Sequence, residues 1–541
     1  MKTPPAPEHK FITEPQYLEL CKACDQILRA QDSSAERVAI SWLHVIREHP
    51  AFLPKYMAIF ESRRNLQLFF QLKARPVINY GKFLFRLGKT LISRVPNFHV
   101  LNISSKPYDV VFVSHLLNRS HIGRLNDFYF GEVPNELAMR GLSVAIIFIN
   151  HTEASARSIP DAWRGSSVTR IVLNKSLFFP AEFALHKRAA QESQRLTTLR
   201  KSLMPTLLRR IVARSAVEAL ESSTLTNLRI ASQIKTLTAH LRPKVVVSTH
   251  EGHAFERVAF AAARESMPEV CCVAYQHSAL FRLQHSIRRN LSAPYNPDFI
   301  LASGVISQSQ LKNAPELRHI PIMVFGSTRI LKPTGGIKQT PTASMFATHK
   351  SKNNCLVVPE YDWSECDTLF EFSLECALAL PNINFVWRLH PLISFKTLLK
   401  RNRRLRERTP NIELSERTLE EDIGRCHLAL YRGTTAVVQA VMGGLTPIYL
   451  QMRGEMTIDP LYEIEKGKFI VRTPEEFAEM IGTLGDTING ATEQDRAELV
   501  DYCSRFYVPM DFRVLEKIIR GAPERSPTNT AERDSAPPSP F

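Results

Sequence analysis

Short apolar runs alternate with helical patterns along most of the chain. Runs with the length of buried strands occur at residues 109–114, 142–150, 167–173, 244–249, 270–275 and 298–302. Helix patterns lie between them at residues 133–140, 254–264 and 306–311. Strands that alternate with helices are typical of a parallel sheet covered by helices on both faces. The pattern therefore predicts a first doubly wound α/β domain over residues 101–326.

The same alternation begins again after residues 327–352, whose Gly, Pro, Thr and Lys content is typical of an interdomain linker. Strands are predicted at residues 354–359, 384–389, 411–414, 427–431 and 446–450. Helices are predicted at residues 364–380, 395–408, 419–425 and 435–443. The sequence thus predicts a second Rossmann-like domain over residues 353–521. Two such sheets in one chain leave a cleft between them.

Three segments fall outside this alternation. Residues 1–100 are predicted to form a helical extension, with helix patterns at 14–30 and 36–49. Residues 181–240 are long, helical and basic, and predict a helical insertion in the first domain. Residues 522–541 are rich in Pro and Ser, a composition typical of a disordered tail.

Composition places the chain among ordinary globular proteins, since 44% of its 541 residues are hydrophobic and 23% are charged. No stretch approaches the roughly 20 apolar residues that span a bilayer. The first residues lack the apolar core of a signal peptide, so we expect a cytoplasmic protein. Nine scattered cysteines form no disulfide pattern. Cys21 and Cys24 lie in a helical pattern without a second pair for zinc, which predicts two reduced thiols.

The net charge of +16 suits anionic partners, such as nucleotide-linked donors, phospholipid headgroups or nucleic acid. Zinc-finger spacing, an RNP-like aromatic pattern and a helix-turn-helix are all missing from the sequence, so we do not expect a nucleic-acid partner. Basic residues cluster at 396–408 on a predicted surface helix. This cluster is either a solvated face or a peripheral docking patch for the anionic inner membrane, where each cation is worth about 1 kcal/mol.

Polar residues that directly follow a predicted strand are the first candidates for chemistry, because ligands of open α/β sheets bind beyond the carboxyl ends of the strands. In the second domain, one strand is followed by Arg-Leu-His-Pro and another by Arg-Gly-Thr-Thr and a helix. Arg offers a phosphate a fork of donors, Gly permits close backbone approach, and helix N-termini favour anions. The predicted phosphate-binding residues are Arg388, His390, Arg432, Gly433, Thr434 and Thr435. A packed His and a plain Thr N-cap are the structural alternatives.

In the first domain, the run Thr-His-Glu-Gly-His follows one strand and Tyr-Gln-His-Ser follows the next. A carboxylate and imidazoles at such turns predict a general base. Glu251 or His253 is the preferred candidate, with His121 or His277 as alternates. Chelation of a metal by His250, Glu251 and His253, or simple helix capping by Glu251, are the competing interpretations.

Further polar residues at the same edge are candidates for the acceptor side of the site. They are His115 and Asn118, in the loop after the first strand, and Gln276. No Asp-x-Asp-like pair stands where a metal-bridged donor would need it, since Asp362 is alone after its strand. The sequence therefore predicts no metal at the site.

The sequence resembles the bacterial surface-carbohydrate biosynthesis family in five runs: VFVSHLLNRSHIGRLNDFYFGEVPNELAMRG, THEGHAFERVAFAAAR, AYQHS, RLHP and GTTAVVQAVMGG. The resemblance covers residues 105–475. More distantly, the second half is similar to CDP-glycerol and Kdo transferases. The resemblance implies GT-B architecture, with two Rossmann-like domains that face a cleft.

In those transferases an Arg-x-His-Pro element and a Ser/Thr-rich loop hold the phosphates of the donor. The resemblance therefore assigns Arg388, His390, Thr434 and Thr435 to the donor, although relatives often carry an acidic residue or Ser where Arg432 stands here. It implies a metal-independent glycosyltransferase without a cofactor, which takes a nucleotide-activated sugar and a glycan or lipid-linked acceptor in capsule or lipopolysaccharide synthesis. A CDP-polyol phosphotransferase, a nonhydrolysing sugar-nucleotide epimerase and a catalytically silent GT-B scaffold are the alternatives.

Overall fold

The computed structural model describes residues 11–60, 106–152, 166–204, 206–330, 354–390, 393–486 and 493–522, together with single positions between them. The predicted linker from residue 331 onwards and the predicted tail from residue 523 onwards lie outside the described residues. The helices are α1 (Glu14–Leu28), α2 (Ala35–Val38), α3 (Pro54–Phe60), α4 (Val133–Met139), α5 (Phe179–Ser202), α6 (Leu207–Glu218), α7 (Ser222–Leu241), α8 (Ala254–Ser266), α9 (Val305–Lys312), α10 (Trp363–Ala379), α11 (Phe395–Arg401), α12 (Leu419–Arg425), α13 (Ala436–Met442), α14 (Pro474–Asp486), α15 (Glu493–Ser504) and α16 (Phe512–Gly521).

The first domain is built on a sheet whose strands are β1 (Phe98–Val100), β2 (Val110–Leu116), β3 (Val144–Asn150), β4 (Thr169–Leu173), β5 (Val245–Thr249), β6 (Cys271–Gln276), β7 (Phe299–Ala302) and β8 (Ile322–Val324). Their order is β1-β4-β3-β2-β5-β6-β7-β8, and every pairing is parallel except that of β1 with β4. The central strands are almost continuous runs of Val and Ile, which suits a sheet buried on both faces.

The second domain repeats this plan with β9 (Asn354–Val358), β10 (Asn384–Arg388), β11 (Ile412–Ser415), β12 (Leu428–Tyr431), β13 (Thr446–Leu450) and β14 (Phe469–Val471). The order is β11-β10-β9-β12-β13-β14, with every pairing parallel. The predicted pair of doubly wound parallel-sheet domains is therefore confirmed, and the architecture is of the GT-B type.

The chain crosses from the second domain back to the first after α15. Residues 505–511 run beside the end of β8, where Ser327 N donates to the Val508 carbonyl at 2.9 Å. Gly326 has φ +102°, and a side chain there would collide with the Pro509 carbonyl oxygen. The helix α16 then packs Leu515 and Ile519 into the core of the first sheet. The predicted second domain therefore ends in a helix that rests on the first.

The N-terminal helices and the helical insertion share one hydrophobic core. Tyr17 and Trp42 lie in it together with Leu185 of α5 and Ile211 of α6. The buried thiols of Cys21 and Cys24 also belong to this core, and no disulfide joins the cysteines of the described residues. Residues 11–60 are therefore packed onto the insertion of the first domain.

The predicted helix at residues 36–49 is wrong, because α2 ends at Val38 and is followed by a 3-10 turn and extended chain. Polar side chains form hydrogen bonds with backbone carbonyl groups that would accept from backbone N–H groups in a helix. Asn227 Nδ2 donates to the Ala39 carbonyl at 2.8 Å, and His44 Nε2 lies 2.7 Å from the Val38 carbonyl. We call residues 44–53, which leave this turn and run to the second domain, the strap.

The predicted helix at residues 395–408 is also shorter than expected, since α11 ends at Arg401 and a 3-10 turn follows at Arg404–Arg406. Part of the basic cluster is neutralised there, because Arg404 pairs with Glu375 of α10. Across the described part of the chain, no helix combines the length and the apolar character needed to cross a membrane.

Candidate functional site

The turn between β5 and α8 is shaped by Glu256. Its carboxylate accepts hydrogen bonds from the backbone N–H groups of Glu251, Gly252 and His253 at 2.9, 2.8 and 2.9 Å. The side chain of Glu256 is fully buried, and His250 Nδ1 lies 3.4 Å from it. The capping carboxylate is thus Glu256 rather than Glu251, and His250 is turned inward. Within the described residues, no group of three or more His, Cys, Asp or Glu side chains could hold a metal ion.

The Glu251 carboxylate is surrounded by polar groups from two neighbouring strand ends. His253 Nε2 lies 3.2 Å from it, Ser278 Oγ donates to it at 3.4 Å, and His277 Nε2 lies 3.7 Å away. Burial alone would raise the pKa of Glu251, but the hydrogen bond with His253 and the nearby imidazoles outweigh it and hold the pKa far below the ordinary value. Glu251 is therefore ionised at neutral pH. The same hydrogen bond outweighs burial at His253 and raises the pKa of that imidazole.

His277 has the properties of a buried, neutral base. Burial lowers its pKa to about 4, and the charge of Arg329 acts in the same direction. Its Nδ1 has no hydrogen-bond partner among the described residues, while its Nε2 faces Glu251. The ring packs against that of Tyr129, with 4.6 Å between the ring centroids. The ring therefore has one nitrogen, itself buried, that the described residues leave without a hydrogen bond.

The other predicted first-domain residues are used in different ways. Both ring nitrogens of His115 are engaged, Nδ1 with His151 at 2.9 Å and Nε2 with Thr249 at 3.3 Å, and burial lowers its pKa to about 3. Asn118 caps a short 3-10 turn. Gln276 is buried and accepts a hydrogen bond from Ser303 N at 3.2 Å, which joins the ends of β6 and β7.

A cavity of about 760 Å³ opens at this edge of the first sheet. His115, His121 and His277 line it, together with aromatic rings from the loop after β2. His121 stacks on Phe128, with 4.8 Å between the ring centroids. Arg329 and Gln439 of α13 also line the cavity. The cavity therefore lies mainly on the first domain and reaches the second.

On the second domain, Arg388 is the last residue of β10 and His390 lies just beyond it, but the two side chains point to different neighbours. Arg388 Nη1 donates to Asp422 of α12 at 3.1 Å and to the Arg417 carbonyl. His390 packs against the Tyr361 ring, with 5.0 Å between the ring centroids. Burial lowers the pKa of His390 to about 4, with the charge of Arg329 acting in the same direction. His390 is therefore near Arg329, whereas Arg388 is held by an acidic residue.

Arg432 is placed away from the crevice. Its side chain is about 1% exposed and lies between two carboxylates, Glu365 at 2.6 Å and Glu455. It also donates to the Leu450 carbonyl at 3.3 Å. The guanidinium therefore stabilises the interior of the second domain, and two carboxylates and a carbonyl of the protein accept its hydrogen bonds.

Thr434 and Thr435 lie at the turn between β12 and α13. Thr434 Oγ1 accepts from Ala436 N at 3.3 Å, and Thr435 Oγ1 accepts from Arg329 Nη1 at 2.9 Å. Arg329 follows β8 and acts on His277 of the first domain and His390 of the second. Arg329 was not predicted from the sequence, because the three-residue strand β8 that precedes its loop was not predicted. The strand-end rule would have selected it.

The strap supplies two more side chains that the sequence analysis missed. Arg47 pairs with Glu360, which follows β9, and His49 Nε2 lies 2.6 Å from the other Glu360 oxygen. His49 Nδ1 accepts from Ala51 N at 3.1 Å, so the imidazole proton lies on Nε2. Arg47 also lies over the Phe281 ring of the first domain, 4.7 Å from its centroid. The strap therefore connects both domains.

Gly433 faces the strap. Its φ is +64°, and a side chain there would place Cβ 2.9 Å from Glu360 Oε2 and 3.0 Å from His49 Nε2. Gly is required here because the protein itself fills the adjacent space. Arg329 and Thr435 lie on the cavity side of this turn. A phosphate at this turn would be bound from that side.

The environment of Glu360 makes stability depend on pH. Burial would raise its pKa, but Arg47 and His49 outweigh it and lower the pKa from 4.5 to about 2. A lowered folded-state pKa stabilises the protein above pH 4.5, and this contribution is lost as the pH falls towards 2. At about 1.4 kcal/mol per unit, the contribution is about 3 kcal/mol. Urea unfolding should therefore show that Glu360→Gln destabilises the protein at neutral pH, by an amount that shrinks below pH 4.5.

Glu14→Gln is the matched control, because Glu14 also joins the N-terminal segment to the first domain through Arg282. Its side chain is 39% exposed, so its loss should change the unfolding free energy by less than about 1 kcal/mol. An equal effect of both substitutions, or a Glu360→Gln effect that does not change with pH, would contradict the role given to the strap.

No family model matches this sequence, and no curated protein matches it. Among solved structures, it is similar to the UDP-GlcNAc 2-epimerase of Neisseria meningitidis bound to UDP-GlcNAc, with a TM-score of 0.43 and 14% identity over 76% of this chain and 99% of that one. It is also similar to MurG of Acinetobacter baumannii (TM-score 0.41, 13% identity, 76% and 99% coverage) and to the glycotransferase of kitacinnamycin (0.43, 12%, 77% and 100%).

Proposed function

We propose that the protein is a glycosyltransferase that transfers a sugar from a nucleotide-activated donor to an acceptor in bacterial surface-polysaccharide synthesis. The observation that carries the proposal is the composition of the crevice. The neutral imidazole of His277 lies beside ionised Glu251 at the edge of the first sheet, and Arg329 connects this group to Thr435 and His390 of the second. The resemblance of the sequence to surface-carbohydrate enzymes supports the choice of pathway.

In the proposed reaction, His277 accepts the proton of the acceptor hydroxyl at Nδ1. The imidazole is neutral above a pH of about 4 and is therefore able to take up a proton at neutral pH. The charge that forms on the ring is stabilised by Glu251, which lies 3.7 Å from the other ring nitrogen. Glu251 is a positioning residue in this scheme, and His253 keeps its carboxylate ionised.

The leaving nucleotide carries a growing negative charge, which needs fixed positive groups nearby. Arg329 is suited to this role because it lies on the cavity side of the β12–α13 turn, where the Thr435 hydroxyl accepts one of its hydrogen bonds. His390 would contribute a further donor to the phosphates. Arg432 has no part in this scheme, since its donors are used inside the domain.

The proposal is tested by incubating the full-length protein with UDP-, GDP-, CDP- and CMP-activated sugars. A ligand that binds the folded state raises its thermal stability, so one donor class should shift the melting temperature. Glycosyl transfer or slow hydrolysis of the same donor should be detectable by release of the nucleotide. Stabilisation by no nucleotide sugar would favour the scaffold alternative. CDP-glycerol is included in the same panel, and release of CMP from it with transfer of glycerol phosphate to the acceptor would favour the phosphotransferase.

We expect His390→Ala to lower kcat/KM for the donor by about 10- to 100-fold, because a hydrogen bond to a charged group contributes about 1.5–3 kcal/mol. The fold should be retained, as judged by circular dichroism, because the residue lies at a loop beyond the strand. His319→Ala is the matched control. His319 is exposed and precedes β8, whereas the crevice loops follow the strand ends. Unchanged turnover in His390→Ala would remove His390 from the donor site.

A further inference from the structure

The cavity beside His277 is much more basic than the proposed transfer to a simple hydroxyl requires. Arg124, Arg170 and Arg329 line it, whereas Asp127 is the acidic residue among its described lining residues. The Asp127 carboxylate already accepts hydrogen bonds from Ser114 Oγ at 2.7 Å and from Tyr129 N and Phe130 N at 2.8 Å each. The three lining imidazoles all have lowered pKa values and add no charge at neutral pH. The described walls therefore carry excess positive charge.

Two of the three arginines, Arg124 and Arg170, lie at the end of the cavity away from the proposed base. Trp163 Nε1 donates to the Arg124 carbonyl at 3.2 Å, and Arg170 Nη2 donates to the carbonyl of the next residue, Leu125. Arg170 belongs to β4, and His277 follows β6. In the sheet order β4-β3-β2-β5-β6 these strands are four steps apart. At a spacing of about 4.8 Å per strand, four steps span roughly 19 Å, which is much longer than one sugar ring. A ligand that reaches from one end to the other is therefore an extended one.

The same end of the cavity is backed by two buried aromatic rings. Trp163 stacks on Phe148, with 5.2 Å between the ring centroids and an interplanar angle of 15°. Arg170 lies over the Trp163 ring, 5.4 Å from its centroid. The rings therefore hold the Arg170 guanidinium at the wall of the cavity, where it suits a ligand with an anionic substituent. A sugar that bears a carboxylate or a phosphate monoester has such a substituent.

We infer that this cavity binds an acidic carbohydrate, with its carboxylate or phosphate held by Arg124 and Arg170 and its reacting hydroxyl next to His277. The inference rests on the proposed function in one respect, namely that the bound carbohydrate is the acceptor. The donor's phosphates are placed at Arg329 and Thr435, so the Arg124 end of the cavity is left for the second substrate. Ionised Glu251 lies at the opposite end, where it does not repel the anionic group.

The experiment measures binding to the full-length protein by isothermal titration, without any nucleotide. The probes are linear trisaccharides of glucose and of galactose, each as the neutral sugar, with one terminal uronate and with one terminal 6-phosphate, and inorganic phosphate alone. The uronate or the 6-phosphate of at least one sugar should bind at least about tenfold more tightly than the neutral sugar, since hydrogen bonds to charged groups are the strong ones. Comparison of uronate with 6-phosphate identifies the anionic group.

Arg124→Gln should lower the affinity for the anionic sugar at least about fivefold and leave the neutral sugar unchanged, because it removes a charge and no packing. Arg124 is exposed, so this variant should fold normally. Arg119→Gln is the matched control, because Arg119 is an exposed residue of the same loop and does not line the cavity.

Three results would overturn the inference: equal affinity for neutral and anionic sugars, no measurable binding of any sugar, or inorganic phosphate binding as tightly as the sugar phosphate. Failure of the proposed function is seen separately. If the protein binds acidic sugars but no nucleotide sugar stabilises it, the inference about the cavity stands and the proposed transferase function is contradicted. If it transfers sugar efficiently to neutral acceptors without preference for acidic ones, the transferase function stands and the inference is contradicted.

Discussion

His277→Gln is expected to lower the kcat of sugar transfer by about 10²- to 10⁴-fold, the range usually contributed by a general base. Gln keeps the polarity and approximate size of the side chain but does not accept a proton at neutral pH. The donor affinity should stay close to that of the unmodified protein, because His277 is placed on the acceptor side. Steady-state kinetics with the donor class found by thermal shift would measure both quantities.

The pH dependence distinguishes His277 from the other candidate bases. Because burial lowers the pKa of His277 to about 4, transfer should lose rate only as the pH falls towards that value, and not near the ordinary value of 6.5. The charge of Glu251 raises the pKa of His277. Glu251→Gln should therefore move this acid limb to lower pH as well as reduce kcat. If Glu251→Gln abolishes transfer while His277→Gln stays within about threefold, the carboxylate is the base and His277 is not.

The strand pattern was predictable because the buried strands are short, nearly continuous apolar runs. Predicted and observed ends agree at β13 (Thr446–Leu450) and differ by one residue at β12 (Leu428–Tyr431). The strands β1, β8 and β14 were missed because three residues are too few to show a pattern. Because β8 (Ile322–Val324) was not predicted, the loop after it was not searched for site residues, and Arg329 lies in that loop.

The strand-end rule found Glu251 and His277, because the carboxyl ends of neighbouring parallel strands meet at one edge. It did not show which carboxylate caps the helix. Glu251 and Glu256 both lie near the N-terminus of α8, and the reach of the Glu256 side chain back to three amide groups depends on the folded turn. The same rule selected Arg432, whose side chain turns inward to carboxylates 67 and 23 residues away.

The strap could not be predicted because its partners are remote in the chain. Arg47 contacts Glu360 over a separation of 313 residues, and no local pattern at residues 44–53 indicates this pairing. The helix predicted at residues 36–49 rested on the spacing of its apolar positions. These positions are buried, but against the helical insertion and not along one face of a helix. Val38 and Trp42 face the helical insertion, and the backbone around them is held by side chains from that insertion.

Arg432→Met is expected to lower the free energy of unfolding by about 3–5 kcal/mol, the usual loss when one partner of a buried ion pair is removed. Glu365 and Glu455 would be left in the interior without a cation, and burial already raises the pKa of Glu455. Arg432→Lys should be intermediate, because one ammonium does not reproduce a fork that reaches two carboxylates. Urea unfolding of the three proteins would give the values.

A charge-matched variant distinguishes the stabilising role of Arg432 from a role in donor binding. Replacing Arg432 by Met together with Glu365→Gln and Glu455→Gln removes the buried charges as a set, so stability should recover relative to Arg432→Met alone. Donor affinity in that triple variant should match the original protein, because the guanidinium does not face the crevice. A triple variant that is stable but binds the nucleotide sugar at least about tenfold more weakly would place Arg432 at the phosphates after all, since that difference equals the 1.4 kcal/mol of one charge-assisted contact. The same result would mean that the turn before α13 rearranges when the donor binds, with Glu365 and Glu455 released from Arg432.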